Sequence, residues 1–175
     1  MPSYHLWLKP SGEAYEVLAA TIRELSRRLQ APVFEPHVTV LGRLIGRESD
    51  LIAQTHKFAR QLRPFPIILT RPSYRDAYFQ CLFLLVEQTG PVIEANTRAR
   101  CAFNHDGGAD YMPHVSLVYG LYSTDVKERV IAGLGSHLEM TFEAAILSLV
   151  RSHSDDPQDW HEIAVAPMGI IEGVN

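Results

Sequence analysis

The chain has 175 residues, 46% of them hydrophobic, enough for one ordinary core or for two small lobes sharing an interface. Its net charge of −4 argues against a general nucleic-acid binder, and no apolar run approaches the roughly 20 residues that a membrane span needs. The N-terminus lacks the basic region and long apolar stretch of a signal peptide, so a cytoplasmic protein with no membrane partner is expected.

Tyr4-His5-Leu6-Trp7-Leu8 reads as a first strand, ended by Pro10-Ser11-Gly12. Residues 13–30 read as a helix, because Val17, Leu18, Ile22, Leu25 and Leu29 recur mostly at three- and four-residue steps. A strand over about 35–41 follows and stops at Gly42. Residues 48–62 predict a second helix, broken by Pro64-Phe65-Pro66, and Ile67-Ile68-Leu69 opens a third strand towards Tyr74. Phe79 to Val86 is nearly all apolar, which predicts a central strand buried on both faces. Pro91 suits the first turn of a helix over 91–103, and a loop over 104–110 contains Gly107-Gly108. A strand over 112–119, a short helix over 124–134 and one long strand from Leu138 to Arg151 come next. Residues 152–159 read as a polar loop and Trp160 to Val165 as a last strand.

One stretch is written twice. Pro36-His37-Val38-Thr39-Val40 returns as Pro113-His114-Val115-Ser116-Leu117, with histidine and hydroxyl each displaced by 77 residues. The same shift carries Leu6-Trp7-Leu8 onto Phe83-Leu84-Leu85 and Ile67-Ile68-Leu69 onto Ala144-Ala145-Ile146. The pattern repeats rather than the residues, so a duplicated α+β unit with a pseudo-two-fold axis is expected, its units about 1–77 and 78–175. Side chains alternate across a strand, so His37 and Thr39 share one face while Val38 and Val40 take the other; His114 and Ser116 repeat this. The two polar pairs are expected to face each other across one cleft.

Charge is uneven: residues 1–75 balance to +5 and residues 76–175 to −9. Cys81 and Cys101 form no metal-ligand spacing and read as reduced, buried thiols.

At these motifs the chain resembles the two-histidine phosphoesterases, whose signature is a pair of His-x-Thr/Ser tetrads. Tyr4-His5-Leu6-Trp7, Phe79 to Leu85, Tyr111 to Tyr119, and Leu149-Val150-Arg151 with Trp160 to Val165 are similar to the plant and fungal cyclic phosphodiesterases. The resemblance implies a bilobal α+β fold with two antiparallel sheets around a central groove. It also implies metal-free hydrolysis, without a cofactor, of a nucleoside 2′,3′-cyclic phosphate or ADP-ribose 1″,2″-cyclic phosphate. The family's catalytic pairs fall on His37 with Thr39 and on His114 with Ser116, with His114 as base and His37 as acid. Substrate-contacting aromatics fall on Tyr119 and Trp7. The loop 104–110 departs from the plant pattern and lacks its extra cysteines.

The chemistry fits these residue types. Opening a cyclic phosphodiester needs a water stripped of a proton and a leaving alkoxide given one, and imidazole, with an ordinary pKa of about 6.5, does both near neutrality. The hydroxyls suit the non-bridging oxygens. Trp7 lies on the His5/Lys9 face of its strand, open to a nucleobase or to the core. Tyr119 lies three residues past Ser116, so a regular strand would turn it away from the pair. Tyr78 and Phe79 are candidates for the groove wall. The other histidines, His5, His56, His105, His137, His153 and His161, read as surface or structural; Arg43 and Arg47, just after the first motif, read either as phosphate contacts or as a solvated loop, the latter favoured. A monomer acting on a small cyclic-phosphate nucleotide is the leading expectation. The rivals are an RNA-end enzyme of the same superfamily, such as a 2′-5′ ligase or trimming nuclease, and a non-catalytic binder of nucleotides or RNA ends.

Overall fold

In the computed structural model, which describes residues 2–106 and 110–169, the apolar periodicities become four helices and eight strands. They run β1 (Ser3–Leu8), α1 (Gly12–Leu29), β2 (Val38–Leu44), α2 (Glu48–Ala59), β3 (Phe65–Tyr74), β4 (Leu82–Val86), α3 (Gly90–Ala102), β5 (His114–Val118), α4 (Thr124–Gly133), β6 (Thr141–Ala144), β7 (Ile146–Ser152) and β8 (Trp160–Pro167). The expected Gly107-Gly108 turn lies outside the described residues.

All neighbouring strands are antiparallel, in the order β6-β3-β4-β5-β2-β1-β7-β8. Only Ala145 separates β6 from β7, yet these strands stand six places apart in the order. In a flat sheet that separation would be about 29 Å, far beyond the reach of one residue. The sheet therefore curls back on itself. Its two antiparallel halves, β6-β3-β4-β5 and β2-β1-β7-β8, meet at the Val38↔Val115 pairing and frame a groove. Strand pairing crosses between the expected repeat units: β3 pairs with β4, and β7 with β1.

The helices cover the sheet. Helix α1 packs on β5, α2 on β7 and β8, α3 on β2 and β3, and α4 on β3. Leu18, Ile22 and Leu25 are the buried stripe of α1, as their spacing requires. No helix among the described residues is long and apolar enough to cross a membrane.

The structure corrects several boundaries. The single strand expected from Leu138 to Arg151 is a 3₁₀ turn at Ser136–Leu138 followed by β6 and β7, because its two ends pair with β3 and β1 in opposite halves. The strand expected from Phe79 starts at Leu82, since Tyr78–Gln80 form a 3₁₀ turn closed by Gln80 N–H donating to the Ala77 carbonyl. From Leu82 onward it is buried on both faces, as its composition predicts. Cys81 is buried, but Cys101 is exposed: the inward face of α3 carries Val92, Ala95, Asn96 and Ala99, and Cys101 falls off that spacing.

Candidate active site

A cavity of about 350 Å³ opens between the two halves of the sheet, and His37, Thr39, His114 and Ser116 all line it. Strand alternation put each pair on one face, and the curl of the sheet turned both faces inward. Val38 and Val40, from the opposite face of β2, are buried in the core.

The two imidazoles are held alike. His37 Nδ1 lies 2.7 Å from the Glu35 carbonyl and His114 Nδ1 lies 2.8 Å from the Met112 carbonyl, two residues back in each case. A carbonyl only accepts, so each Nδ1 carries the hydrogen and each neutral ring keeps its lone pair on Nε2. Burial lowers both pKa values from the usual histidine range. For His37 the value falls to about 3, with the charges of His114, His5 and Lys9 adding to the effect of burial and the Glu35 carbonyl opposing it. For His114 the Met112 carbonyl opposes burial, and Arg75 adds to the lowering. The cavity thus holds two neutral bases.

The hydroxyls differ. Ser116 Oγ donates to the Phe79 carbonyl at 3.1 Å, whereas the Thr39 hydroxyl makes no hydrogen bond among the described residues. Tyr111 donates to the Thr39 carbonyl at 3.1 Å and fixes the strand there.

The expected aromatics also reach the cavity. Trp7 pairs across β1 and β2 with Thr39, is only 6% exposed, and stacks on His37. Its position is therefore both core and wall. Tyr119 avoids the wrong face for two reasons. Strand β5 ends at Val118, and the pairing of Phe83↔Ser116 and Leu82↔Val118 leaves Leu117 as an extra residue that shifts the alternation. Tyr119 then stacks on Phe34 at 3.8 Å and meets Phe79 and Trp160 edge-on. Phe79 lines the cavity; Tyr78 does not, and meets Phe79 edge-on.

Other lining residues escaped the sequence reading. His5, read as surface or structural, is half-buried in the wall, where Nε2 meets Ser152 Oγ at 3.0 Å and Ser3 Oγ at 3.2 Å. Burial first and Arg43 second lower its pKa to about 4. Trp160 and the loop residues Ser154 and Asp155 complete that side, and Arg43 reaches the rim while Arg47 does not. The alternation of β1 places His5 on the Trp7 face, which is the signal that points inward once Trp7 is assigned to the site.

Comparison with known proteins agrees with this geometry. The profile of the family described as "Cyclic phosphodiesterase-like protein" matches residues 1–163. A cyclic phosphodiesterase of Arabidopsis thaliana is 27% identical over 168 residues, covering 93% of each chain. The crystal structure of Escherichia coli LigT in apo form superposes with a TM-score of 0.67 at 13% identity, covering 95% of this chain and 97% of that one. The fold is also shared by LigT complexed with 3′-AMP, with a TM-score of 0.63 at 10% identity over 96% and 98% of the two chains. The chain belongs to the cyclic phosphodiesterase-like proteins, within the two-histidine phosphoesterases, and is an enzyme of that family.

Proposed function

We propose that the chain hydrolyses small cyclic phosphodiesters, either a nucleoside 2′,3′-cyclic phosphate or ADP-ribose 1″,2″-cyclic phosphate, to a phosphomonoester without a metal. The observation that carries this reading is the matched anchoring of His37 and His114, which leaves one Nε2 from each half for the same cavity. In-line displacement needs proton transfer at opposite sides of phosphorus, and two such groups supply it.

His114 Nε2 takes a proton from water as the new P–O bond forms. His37, protonated at Nε2, gives its proton to the ring oxygen as the old P–O bond breaks. The products are a phosphomonoester and a free hydroxyl, and solvent exchange resets both rings. The acid form of His37 has to come with the substrate, because burial favours the neutral ring; a bound phosphate anion favours imidazolium. Stacking on Trp7 favours the same cation and supports His37 as the acid. Thr39 and Ser116 donate to the non-bridging oxygens. Trp7 positions His37, and Tyr119 with Phe79 forms the wall for a base or sugar.

The cavity suits a nucleotide, at the lower end of small-ligand sites, and LigT has been crystallised with 3′-AMP. A small nucleotide is therefore favoured over an RNA strand. The test is a panel of cyclic phosphates hydrolysed in excess EDTA, with each product assigned by phosphorus NMR. One phosphomonoester regioisomer, formed at a rate unchanged by chelator, is expected. Loss of turnover on chelation overturns the metal-free reaction.

A further inference from the structure

The cavity has two unlike ends. Trp7, Phe79, Tyr119 and Trp160 make one end aromatic; Ser3, His5, Arg43 and Ser152 make the other polar. Neither proton transfer nor base stacking uses the polar end. It is nonetheless built. Ser152 is 9% exposed, and its hydroxyl lies 2.9 Å from Ser3 Oγ and 3.0 Å from His5 Nε2, so the ring is held from behind. The other ring nitrogen, Nδ1, lies beside Gly42, 3.2 Å from the point a Cβ there would occupy. Thr39 Cγ2 stands 3.7 Å from that same point. The missing side chain keeps open the space between His5 and Thr39.

Arg43 sits at the rim of this space with φ +59°, a left-handed conformation that an arginine adopts at a cost. Its side chain is exposed and makes no ion pair among the described residues, and it is the charge that acts on His5. The serine hydroxyls occupy His5 Nε2 and leave Nδ1 as the ring nitrogen that faces the gap; with a hydroxyl donating to Nε2, Nδ1 carries the hydrogen. A guanidinium at the rim and a ring nitrogen facing the gap beside the reacting group suit a phosphoryl oxygen cluster. Asp155, the carboxylate on this side, is exposed and screened by solvent.

We infer that His5 and Arg43 form a second anion subsite that receives a phosphoryl group outside the cyclic ester. The inference rests on the reading of the cavity as a cyclic phosphodiesterase site and narrows its substrates. Cyclic phosphates carrying a further phosphate are preferred over those with a bare nucleoside. A terminal phosphate and an internal diphosphate present the same chemistry to the subsite.

The experiment measures kcat/KM for adenosine 2′,3′-cyclic phosphate, for its 5′-phosphate and for its 5′-diphosphate methyl ester. The full chain is compared with Arg43→Gly, which removes the guanidinium while easing the backbone. The wild-type protein is expected to favour one or both phosphorylated substrates by about 10-fold or more, as one charge-assisted contact allows. Arg43→Gly is expected to bring that ratio close to one. Preference for the monophosphate alone assigns a terminal phosphate, and preference for the diphosphate ester assigns an internal one. A wild-type ratio near one overturns the inference, as does a ratio unchanged in Arg43→Gly.

Calorimetry with the monoester products, with and without a 5′-phosphate, reads the subsite without turnover. Absence of hydrolysis with a 5′-phosphate preference in binding would sink the proposed reaction and keep the subsite. Hydrolysis with no preference would do the reverse.

Discussion

Trp7 lies flat against His37, with ring centroids 3.6 Å apart and planes 8° from parallel. The matching contact in the other half is looser: Phe83, which pairs across the sheet with Ser116, meets His114 at 5.1 Å and 58°. The halves therefore offer their imidazoles different environments. An indole face under a ring steadies it and favours its cation by about 0.5–2 kcal/mol. Trp7→Leu keeps the site apolar but removes that face. Its alkaline limb of kcat, set by the acid, is expected to move to lower pH by about 0.4–1.5 units. An unshifted limb would assign the acid elsewhere.

Thr39 and Ser116 occupy matching places but not matching states. Thr39 has its hydroxyl hydrogen free, and Ser116 has to leave the Phe79 carbonyl before it can serve a phosphate. A hydrogen bond to a charged group contributes about 1.5–3 kcal/mol, so Thr39→Ala should lower kcat/KM by roughly 10–100-fold. Ser116→Ala should cost less, because its gain at the phosphate is offset by the bond it gives up. Steady-state kinetics on both variants checks the order.

Stability should fall on mild acidification. His37 and His5 have folded pKa values of about 3 and 4, and that of His114 is also lowered, mainly through burial. The unfolded chain binds these protons near pH 6.5, so the stabilisation is complete above that pH and is lost as pH falls below it. Each imidazole contributes a slope of up to about 1.4 kcal/mol per pH unit. Thermal midpoints measured between pH 7.5 and 5 should decline, and His5→Gln should flatten the decline. A midpoint constant over that range would contradict the burial of these rings in neutral form.

What the sequence made legible follows from local rules. Period-two alternation around His37 and His114 is a property of any strand, and it correctly grouped each histidine with its hydroxyl. The continuous apolar run of β4 likewise announced a strand buried on both faces. The remaining features depend on long-range pairing. The interruption of the strand at Ala145 comes from β6 and β7 choosing partners at opposite ends of the sheet, which no local pattern encodes. The extra residue at Leu117 brings Tyr119 to the cavity, and a bulge of this kind leaves little trace in composition. His5 has no tetrad partner in the sequence; its partners, Ser3 and Ser152, meet it only when β1 pairs with β7.

The most direct test of the two-histidine account is turnover of a cyclic phosphate by His37→Ala and His114→Ala, with circular dichroism confirming that each variant folds. Each substitution should lower kcat by about 10²–10⁴-fold, as loss of a general acid or base does. A folded variant of either kind retaining near-wild-type kcat would contradict it.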